Sequence, residues 1–450
     1  MTASQQAPHA VDYRIVSFRV FSHRGNGATF KGPANIIKHV DEIEIYENIE
    51  LPYLTGRFVV KDDMRFADTI LLNGTEYVEI EFESQTGVGQ IIKKTFTMAA
   101  SQDSVKTADN SEVLIINLIE QCAFHNSAIT INKAYTGTPD IIIAKILSDS
   151  LNLKVNLPLK LPFQKSMKII IPNLTPFAAC ELVRSRMSTE MGLPYFLFAS
   201  LNTRHINLVA FEDMLLEPAW NEGRPYVYSI SFNHKSSDPR KEDAIFNVAK
   251  YVSRNKNNVL ALMSAGSTSG LHTITNMTTG QSTQYFFDIE KLLKDLVELN
   301  IINNKTNPIF SANYFFLGKR MNEYNTTNVH RVVLNDTYDG LNNFTQEETA
   351  AAFRLDACNN AIRNLLFKNS MSITVPGRPY LTGNNASLGR QIEFVYPANN
   401  TSLNSTSHVI DRDIQDKKRS GTFVIYTARH SFLETKHQVD LTAVKLGNLK

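Results

Sequence analysis

The amino-acid sequence predicts an α+β fold that is mainly β, and three observations lead to this prediction. Short segments in which apolar and polar residues alternate recur near both ends of the 450-residue chain, as in antiparallel strands. The central segments instead show the apolar spacing and the start signals of helices. The length corresponds to roughly three compact domains, so the two patterns can belong to different parts of the fold.

The first 120 residues are predicted to form an all-β domain, either a barrel or a sandwich. Six alternating segments are separated by short stretches that contain turn residues. These predicted strands are Tyr13–Phe21, Val40–Tyr46, Gly56–Lys61, Tyr77–Glu83, Ile91–Met98 and Glu112–Glu120.

Residues 121–215 are predicted to form an α+β domain. The pairs Thr138-Pro139 and Thr175-Pro176 each have the form of an N-cap followed by proline at the first helical position. The helix that begins at the second pair is expected to end at Gly192. A β-hairpin is predicted to follow, from the segments Tyr195–Ser200 and His205–Phe211.

The remaining residues are predicted to form a second β-domain, at 216–250 and 370–450, with an insertion at 251–369. The insertion contains a predicted hairpin and a helix, and Thr345–Glu348 has the form of a capping box that begins another helix, which runs to about Lys368. Alternation after that helix is typical of a small antiparallel barrel or sandwich. The predicted elements are Tyr226–Phe232, Ala244–Val252, Leu271–Met277, Gln284–Ile289, Asp288–Leu299, a strand around Ile373, Gln391–Tyr396, Thr422–Arg429 and His437–Lys445.

The composition is that of an ordinary globular protein. Lys and Arg total 46 and Asp and Glu total 44, so bulk charge would not attract nucleic acid or an anionic membrane. Three distant cysteines argue against a disulfide framework or a zinc ribbon, and the helical patterns around Cys180 and Cys358 predict buried thiols there. Because we find no signal-peptide pattern and no apolar run of about 20 residues, we expect assembly in the cytoplasm and no membrane insertion.

A search for catalytic motifs predicts no active site, cofactor or metal. The chain lacks the His-Glu-x-x-His and Gly-x-Ser-x-Gly patterns, and the Ser264–Gly270 segment lacks the lysine of a phosphate-binding loop. His430 and His437 are interpreted as two solvent-side histidines, since a metal site needs several converging ligands. Carboxylates are abundant but define no acid–base pair, so we expect the protein not to be an enzyme.

The segment from Ser370 to Leu446 resembles the closing segment of tail hub proteins of contractile-tailed phages, which are similar to the base of type VI secretion spikes. The pattern is a strand that ends in Val-Pro-Gly-x-Pro, a glycine-containing hairpin, a polar loop, and then Ser-Gly-x-Phe-x-Ile with His-x-Phe after it. The matching residues are Val375, Pro376, Gly377, Pro379, Ser420, Gly421, Phe423, Ile425, His430 and Phe432.

Two other segments carry the same resemblance. In hub proteins an early strand contains a glycine and ends in an aspartate, as Gly56 and Asp62 do here, and a Gly-x-Glu turn follows it, as at Gly74 and Glu76. In the middle of the chain a Thr-Pro-Phe helix start with an arginine-rich turn matches Thr175, Pro176, Phe177, Arg184 and Arg186.

The resemblance implies a non-enzymatic baseplate hub of a contractile phage tail. Two related β-barrels would alternate in a homotrimer to give a pseudo-sixfold ring, which would link the tail tube to the central spike and form part of the channel for DNA. The implied partners are a spike or needle protein, the tube initiator and other baseplate proteins, and genomic DNA would pass without specific binding. The implied location is the tail baseplate of the virion, after assembly in the host cytoplasm.

Two charged segments leave alternatives open. In the strand Tyr77–Glu83 the side chains of Glu79, Glu81 and Glu83 face the side opposite to the apolar residues. They are either an ordinary solvated face or the lining of a ring lumen, where repulsion would keep passing DNA from adhering. The basic run Lys417–Arg419 is either a solvated loop or a contact to a neighbouring subunit.

Two alternatives to a phage baseplate hub also remain. One is a tail-associated lytic enzyme that degrades the cell wall, and the other is the hub of a non-phage contractile injection machine.

Overall fold

The computed structural model describes most of the chain. The described residues are 13–21, 34–62, 74–84, 91–108, 111–163, 167–228, 245–255, 259–277, 280–302, 315–324, 328–333, 346–366, 369–381, 388–397, 416, 419–433 and 436–446.

The N-terminal part is a set of antiparallel strands, as the alternating sequence predicts. Apolar side chains of alternate residues are buried: Val78, Ile80 and Phe82 have no exposed surface, whereas the intervening glutamates are partly exposed. The strands are β1 (Tyr13–Phe21), β2 (Ala34–Asn35), β3 (Val40–Asn48), β4 (Thr55–Asp62), β5 (Tyr77–Ser84), β6 (Ile92–Ala108) and β7 (Ser111–Glu120).

The middle part packs helices on two small sheets. Strand β8 pairs with β10, and β11 pairs with β12 as the predicted hairpin. The elements are α1 (Gln121–Ser127), β8 (Ile131–Gly137), α2 (Pro139–Leu151), β9 (Val155–Asn156), β10 (Met167–Leu174), α3 (Pro176–Arg184), β11 (Tyr195–Phe198), β12 (Ile206–Ala210) and α4 (Phe211–Leu216).

The starts of α2 and α3 follow the sequence, but the capping chemistry differs from the prediction. Both helices begin with proline at the first position, yet neither Thr138 nor Thr175 makes a side-chain capping bond. For α3 the cap comes from another helix, because Asn126 Oδ1 accepts a hydrogen bond from the Phe177 N–H at 2.8 Å. Helix α3 also ends at Arg184 instead of Gly192, since Ser188 pairs with Pro194 and the intervening residues form turns.

The segment from 250 to 366 adds a third small sheet, in the order β16-β15-β19, and a long helix. The predicted hairpin and the helix after it are confirmed, and Asp288 Oδ1 accepts a capping bond from the Glu290 N–H at 2.9 Å. Thr345 of the predicted capping box lies outside the described residues. The elements are β14 (Lys250–Asn255), α5 (Val259–Ser264), β15 (Ser269–Asn276), β16 (Ser282–Asp288), α6 (Ile289–Glu298), β17 (Phe315–Phe316), β18 (Lys319–Arg320), β19 (Asn328–Val333) and α7 (Gln346–Leu366).

The C-terminal strands complete one large sheet, which runs in the order β14-β20-β23-β22-β3-β4-β7-β6-β5-β1-β2. A short branch joins it, since β21 pairs with β22 and with β13. These strands are β13 (Tyr226–Val227), β20 (Asn369–Pro376), β21 (Gln391–Val395), β22 (Gly421–Leu433) and β23 (Lys436–Val444).

Three hydrophobic cores lie in the structure. One lies within the N-terminal strands, one within the α+β part, and the largest joins the C-terminal strands to α6 and α7. The predicted class, α+β and mainly β, is confirmed. No closed barrel is found among the described residues: the two sets of long strands form one continuous sheet, because β3 of the first pairs with β22 of the second.

Candidate functional site

The pairing of β3 with β22 is the seam that joins the N-terminal and C-terminal halves of the large sheet. Residues directly opposite each other on the two strands share a face of the sheet, and His430 lies opposite Ile45 and Ser431 opposite Glu44. The seam therefore has two faces. One face carries Glu44, and the other carries Glu47 and His430.

The first face holds a buried carboxylate between partly exposed cations. The Glu44 side chain is fully buried, and its carboxylate lies 2.5 Å from Arg57 Nε and 2.8 Å from Arg429 Nη2. The Tyr46 hydroxyl donates a hydrogen bond to the same carboxylate. Burial alone would raise the pKa of Glu44, but the Arg57 and Tyr46 hydrogen bonds and the Arg429 charge lower the pKa overall. Strands β4, β3 and β22 are thereby linked by charge.

The second face holds a fully buried polar cluster. His430 Nδ1 lies 3.2 Å from His437 Nε2, and His430 Nε2 lies 3.7 Å from Glu47 Oε2. Glu47 also accepts hydrogen bonds from the Leu201 N–H and from Ser200 Oγ, the latter at 3.2 Å. The cluster thus connects β3, β22 and β23 with the α+β part of the chain.

The interpretation of His430 and His437 as solvent-side histidines is wrong. Their side chains are buried because β22 and β23 lie in the middle of the large sheet. There the two imidazole rings pack against Tyr13, Phe432 and Tyr380. Burial, followed by the charge of His430, holds the pKa of His437 well below its ordinary value. His437 is therefore neutral and shares a hydrogen bond with His430, and Glu47, whose pKa is lowered by its bonds to His430 and Leu201 despite burial, is a carboxylate.

Two residues that carry the resemblance, Gly56 and Gly377, are glycines because another part of the chain packs directly on each of them. A Cβ atom on Gly56 would lie 2.5 Å from the carbonyl oxygen of Glu44, so only glycine lets β4 approach β3 at this register. A Cβ atom on Gly377 would overlap the imidazole ring of His437, which packs directly on the glycine. The Gly377 N–H also donates to the His437 carbonyl at 2.9 Å.

Three further residues of the resemblance, Pro376, Gly421 and Asp62, lie at strand ends, and His430 lies in the buried cluster. Pro376 is the last residue of β20 and lies opposite Gln438. Gly421 begins β22 with a φ of 128°, a conformation that favours glycine. Asp62 is buried at the end of β4, opposite Glu112. Gly56 thus lies against β3 and Gly377 lies against the histidine pair, whereas Asp62 and Gly421 lie at the ends of strands.

A second polar cluster, which no sequence pattern indicated, surrounds Glu50 just after β3. The Glu50 carboxylate lies 3.2 Å from Arg184 Nη2 and 3.1 Å from Arg363 Nη1, and it accepts a 2.8 Å hydrogen bond from the Tyr426 hydroxyl. Both arginines also donate to the Tyr195 carbonyl, at 2.8 and 3.0 Å. These residues come from segments up to 376 positions apart, so spacing along the chain could not reveal them.

The predicted acidic face of β5 is present but is partly neutralised. Glu79 and Glu81 lie 2.9 and 3.6 Å from Lys93 Nζ on β6, and Glu83 lies 3.2 Å from Arg14 on β1. The three glutamate side chains are 18 to 25 % exposed. The negative charge of this face is therefore smaller than the sequence of β5 alone suggests.

Metal-ligating side chains and cysteine thiols are the remaining candidates for chemistry among the described residues. Within them no group of three His, Cys, Asp or Glu side chains is arranged to hold a metal ion, and no helix is long and apolar enough to cross a membrane. Cys180 and Cys358 are buried, as predicted. Burial raises the pKa of the Cys122 and Cys180 thiols far above its ordinary value, which disfavours the reactive thiolate. The clusters at the seam are suited to joining segments of the fold.

Comparisons with known proteins were informative at the level of structure. No known protein family and no curated protein matches the sequence. A tail protein from Neisseria meningitidis MC58 superposes with a TM-score of 0.50 at 13 % identity, covering 96 % of this chain and 97 % of that protein. The 43 kDa tail protein of prophage MuSo2 from Shewanella oneidensis gives a TM-score of 0.47 at 12 % identity, covering 95 and 98 %.

A component of the type VI secretion system of E. coli, described as structurally similar to bacteriophage tail proteins, also aligns. The TM-score is 0.43 at 9 % identity, and the alignment covers 97 % of this chain and 79 % of that protein. The Neisseria superposition is the one that establishes a likeness of fold, and it extends over nearly the whole of both chains. The resemblance to tail proteins that the sequence predicted is therefore confirmed as a shared fold.

Proposed function

We propose that this protein is the baseplate hub of a contractile phage tail, a homotrimeric ring that links the tail tube to the central spike. The observation that carries the proposal is the fold shared, end to end, with a tail protein. A second support comes from residues that carry the hub resemblance in the sequence: Gly56 packs on Glu44 of β3, and Gly377 packs on His437, which contacts His430 of β22.

The ring would close through the two edges of the large sheet. Strand β14 pairs only with β20, and β1 pairs with β5 and, over two residues, with β2, among the residues that the structure describes. Edge strands with free amide and carbonyl groups are suited to pairing with another chain. Because the two edges are different strands at opposite ends of one sheet, pairing them between copies gives a head-to-tail contact, and a rotation of about 120° between copies would close three of them into a ring.

In this proposal the two halves of the sheet are the two hub domains, residues 1–120 and residues 216–250 with 370–450, which would alternate around the ring. The α+β domain at 121–215 and the insertion at 251–369 would lie outside it. The seam and the Glu50 cluster would hold the halves at a fixed angle, as a collar that transmits force requires.

The face of β5 that carries Glu79, Glu81 and Glu83 is the proposed lining of the lumen. Its pairing with Lys93 and Arg14 leaves a surface of mixed charge with a small negative excess. Such a surface would neither bind the DNA backbone strongly nor repel it at long range, so genomic DNA could pass without specific binding. The spike, the tube initiator and other baseplate proteins are the proposed partners, and the virion baseplate is the proposed location.

Mass measurement and imaging of the purified chain test the proposal. We expect light scattering to give three times the 50.7 kDa of one chain at micromolar concentration, and electron microscopy to show a ring with a central hole. A compact monomer without a hole would contradict the proposal. Clearing of peptidoglycan in a zymogram would instead support the lytic enzyme, and neighbouring genes for a secretion apparatus would support the non-phage injection machine.

A further inference from the structure

Two short segments of the described chain each expose three large apolar side chains, whereas the other exposed apolar residues are scattered. The first segment, here called the leucine stripe, consists of Leu157, Leu159 and Leu161, which are 51, 85 and 70 % exposed. The second, here called the apolar hairpin, is Phe315–Arg320, in which Phe315, Phe316 and Leu317 are 55, 55 and 82 % exposed. Clusters of this kind on a soluble surface mark sites of interaction.

The leucine stripe is held with its apolar side chains outward. In the sequence Leu157-Pro-Leu-Lys-Leu-Pro162 both prolines are buried, so the leucines between them project from the surface. Three hydrogen bonds fix the backbone: Lys160 N–H to Asp213 Oδ2 at 3.1 Å, the Tyr195 hydroxyl to the Lys160 carbonyl at 2.9 Å, and Phe163 N–H to the Ser188 carbonyl at 2.9 Å. The stripe is therefore a preorganised surface and not a loose loop.

The surroundings of the leucine stripe are acidic. Lys160 Nζ lies 2.9 Å from Glu212, and the pKa of Lys160 is raised first by this hydrogen bond and further by the charges of Glu190 and Asp213. Three carboxylates thus surround one ammonium group, and Glu190 is exposed to solvent. A partner that seats on the leucines would gain from a positive charge at its edge.

The apolar hairpin has the complementary chemistry. Its turn residues Leu317 and Gly318 have φ angles of 47° and 78°, and a bulky residue in that region is unusual. Exposed Lys319 and Arg320 follow directly, and Arg320 lies over the Phe315 ring at 5.9 Å. The hairpin is anchored at its base, since the Tyr324 hydroxyl donates to the Phe316 carbonyl and the Ser269 hydroxyl donates to the Tyr324 carbonyl at 2.6 Å.

We infer that the apolar hairpin of one copy seats on the leucine stripe of the next copy in the ring. Both segments are exposed within a single chain, so they do not cover each other there. One is flanked by two cations and the other by an excess of carboxylates, so the apolar contact and the charges favour the same pairing. Because every copy carries both segments, the contact is head-to-tail and repeats around a closed ring. This inference rests on the trimeric ring proposed above.

Cysteine cross-linking tests the contact. The variant with Leu159→Cys and Leu317→Cys, oxidised under mild conditions, is expected to give covalent dimers and a covalent trimer on a non-reducing gel, with no larger species. Each variant with only one added cysteine, which keeps the native Cys122, Cys180 and Cys358, should stay a monomer on the gel. A mismatched pair, Leu433→Cys with Leu317→Cys, is the control, because Leu433 is also half exposed but lies at the end of β22, outside the leucine stripe.

Charge reversal gives a second, independent readout. Lys319→Glu with Arg320→Glu is expected to weaken trimer assembly at least tenfold, measured by sedimentation at several concentrations, and Glu190→Lys added to that variant should recover part of the loss. Circular dichroism identifies any variant that fails to fold; Lys319 and Arg320 are exposed, so these two changes should leave the fold intact.

The outcomes separate this inference from the proposed function. A wild-type trimer whose cysteine pair does not cross-link, and whose assembly is unchanged by charge reversal, would overturn the inference and leave the ring in place. A wild-type chain that stays monomeric would overturn both. Binding of the wild-type chain to anionic phosphatidylglycerol vesicles that Leu317→Asp abolishes would assign the hairpin to a lipid surface and would equally overturn the inference.

Discussion

The two faces of the β3–β22 seam use opposite physical means to join the halves of the sheet. On the Glu44 face a buried carboxylate is matched by Arg57 and Arg429, whose side chains are 40 and 45 % exposed and keep contact with water. On the Glu47 face the carboxylate and both histidines are buried together. The first arrangement tolerates loss of one partner because water can replace it, while the second leaves an unpaired group in the interior.

The largest effect on stability is expected from adding a methyl group at Gly377, which packs directly on the His437 ring. Gly377→Ala should lower the free energy of unfolding by about 3 kcal/mol or more, because the added methyl group would overlap the imidazole ring and neither β20 nor β23 can move within the sheet. Urea denaturation followed by circular dichroism measures the change. Gly223→Ala is the matched control: nothing lies within 4 Å of its Cβ position, so only its positive φ opposes the change, at about 1 kcal/mol. Equal losses of unfolding free energy in Gly377→Ala and Gly223→Ala would show that the contact with the His437 imidazole does not limit stability.

The next largest loss of unfolding free energy is expected from replacing the buried carboxylates, and it should differ between the two faces. Glu47→Gln should cost about 3 kcal/mol, since the buried carboxylate accepts hydrogen bonds from the Leu201 N–H and Ser200 Oγ beside His430, and a side-chain amide leaves a buried polar group unpaired. Glu44→Gln should cost less, about 1–2 kcal/mol, because Arg57 and Arg429 can turn to solvent. Both substitutions keep the volume of the side chain, so packing is matched, and the same urea titration compares them. A larger loss for Glu44→Gln would reverse the comparison.

Acid is expected to act on the Glu47 face first. The pKa of folded His437 is depressed, so the unfolded chain binds a proton that the folded chain does not. Stability should therefore be full above the unfolded pKa near 6.5 and fall as pH drops below it, by about 1.4 kcal/mol per pH unit for one proton. Glu47, whose folded pKa is also lowered, adds a further loss only below about pH 4.5. Unfolding titrations between pH 7 and 5 measure the slope, and His437→Gln should flatten it; an unchanged slope would contradict the role of His437.

The smallest effect concerns salt. Arg429→Ala should cost about 0.5–1 kcal/mol at low ionic strength, and this cost should shrink in 0.5 M NaCl because the pair is partly exposed. Stability lost through Glu47→Gln should not depend on salt, since that site excludes water and ions. Parallel unfolding curves at two salt concentrations compare the two variants. Equal salt dependence would mean that the faces do not differ in exposure to solvent.

Most of the strands and helices could be predicted from sequence, and the reason is local. Alternating burial along β4, β5 and β12 follows the alternation of apolar and polar residues, which can be recognised within a single strand. Errors occurred where distant contacts decide, as at the end of α3 and at its cap from Asn126. The solvent exposure of His430 and His437 was predicted wrongly for the same reason. An alternating pattern shows which residues share a face of a strand, but not whether that face is covered.

The residues of the candidate site likewise fall into two groups, those that a sequence motif contains and those that no motif indicates. The resemblance motifs contain Gly56, Gly377 and His430, but Glu44, Glu47, Glu50 and Arg363 look like ordinary surface charges in the sequence. Each acquires its role from a partner more than ten positions away, and for Glu50 and Tyr426 the separation is 376 positions. Charge pairing of this kind depends on which strands become neighbours.

The order of residues thus determined the class of the fold, the bounds of most strands and the resemblance to tail proteins, because backbone preference and side-chain alternation act within a few residues. Tertiary structure alone decided that the two sets of strands form one sheet, that its seam buries a histidine pair, and that two apolar segments stay uncovered. Burial and pairing are properties of neighbours in space, and a chain of this length brings together residues that no local pattern connects.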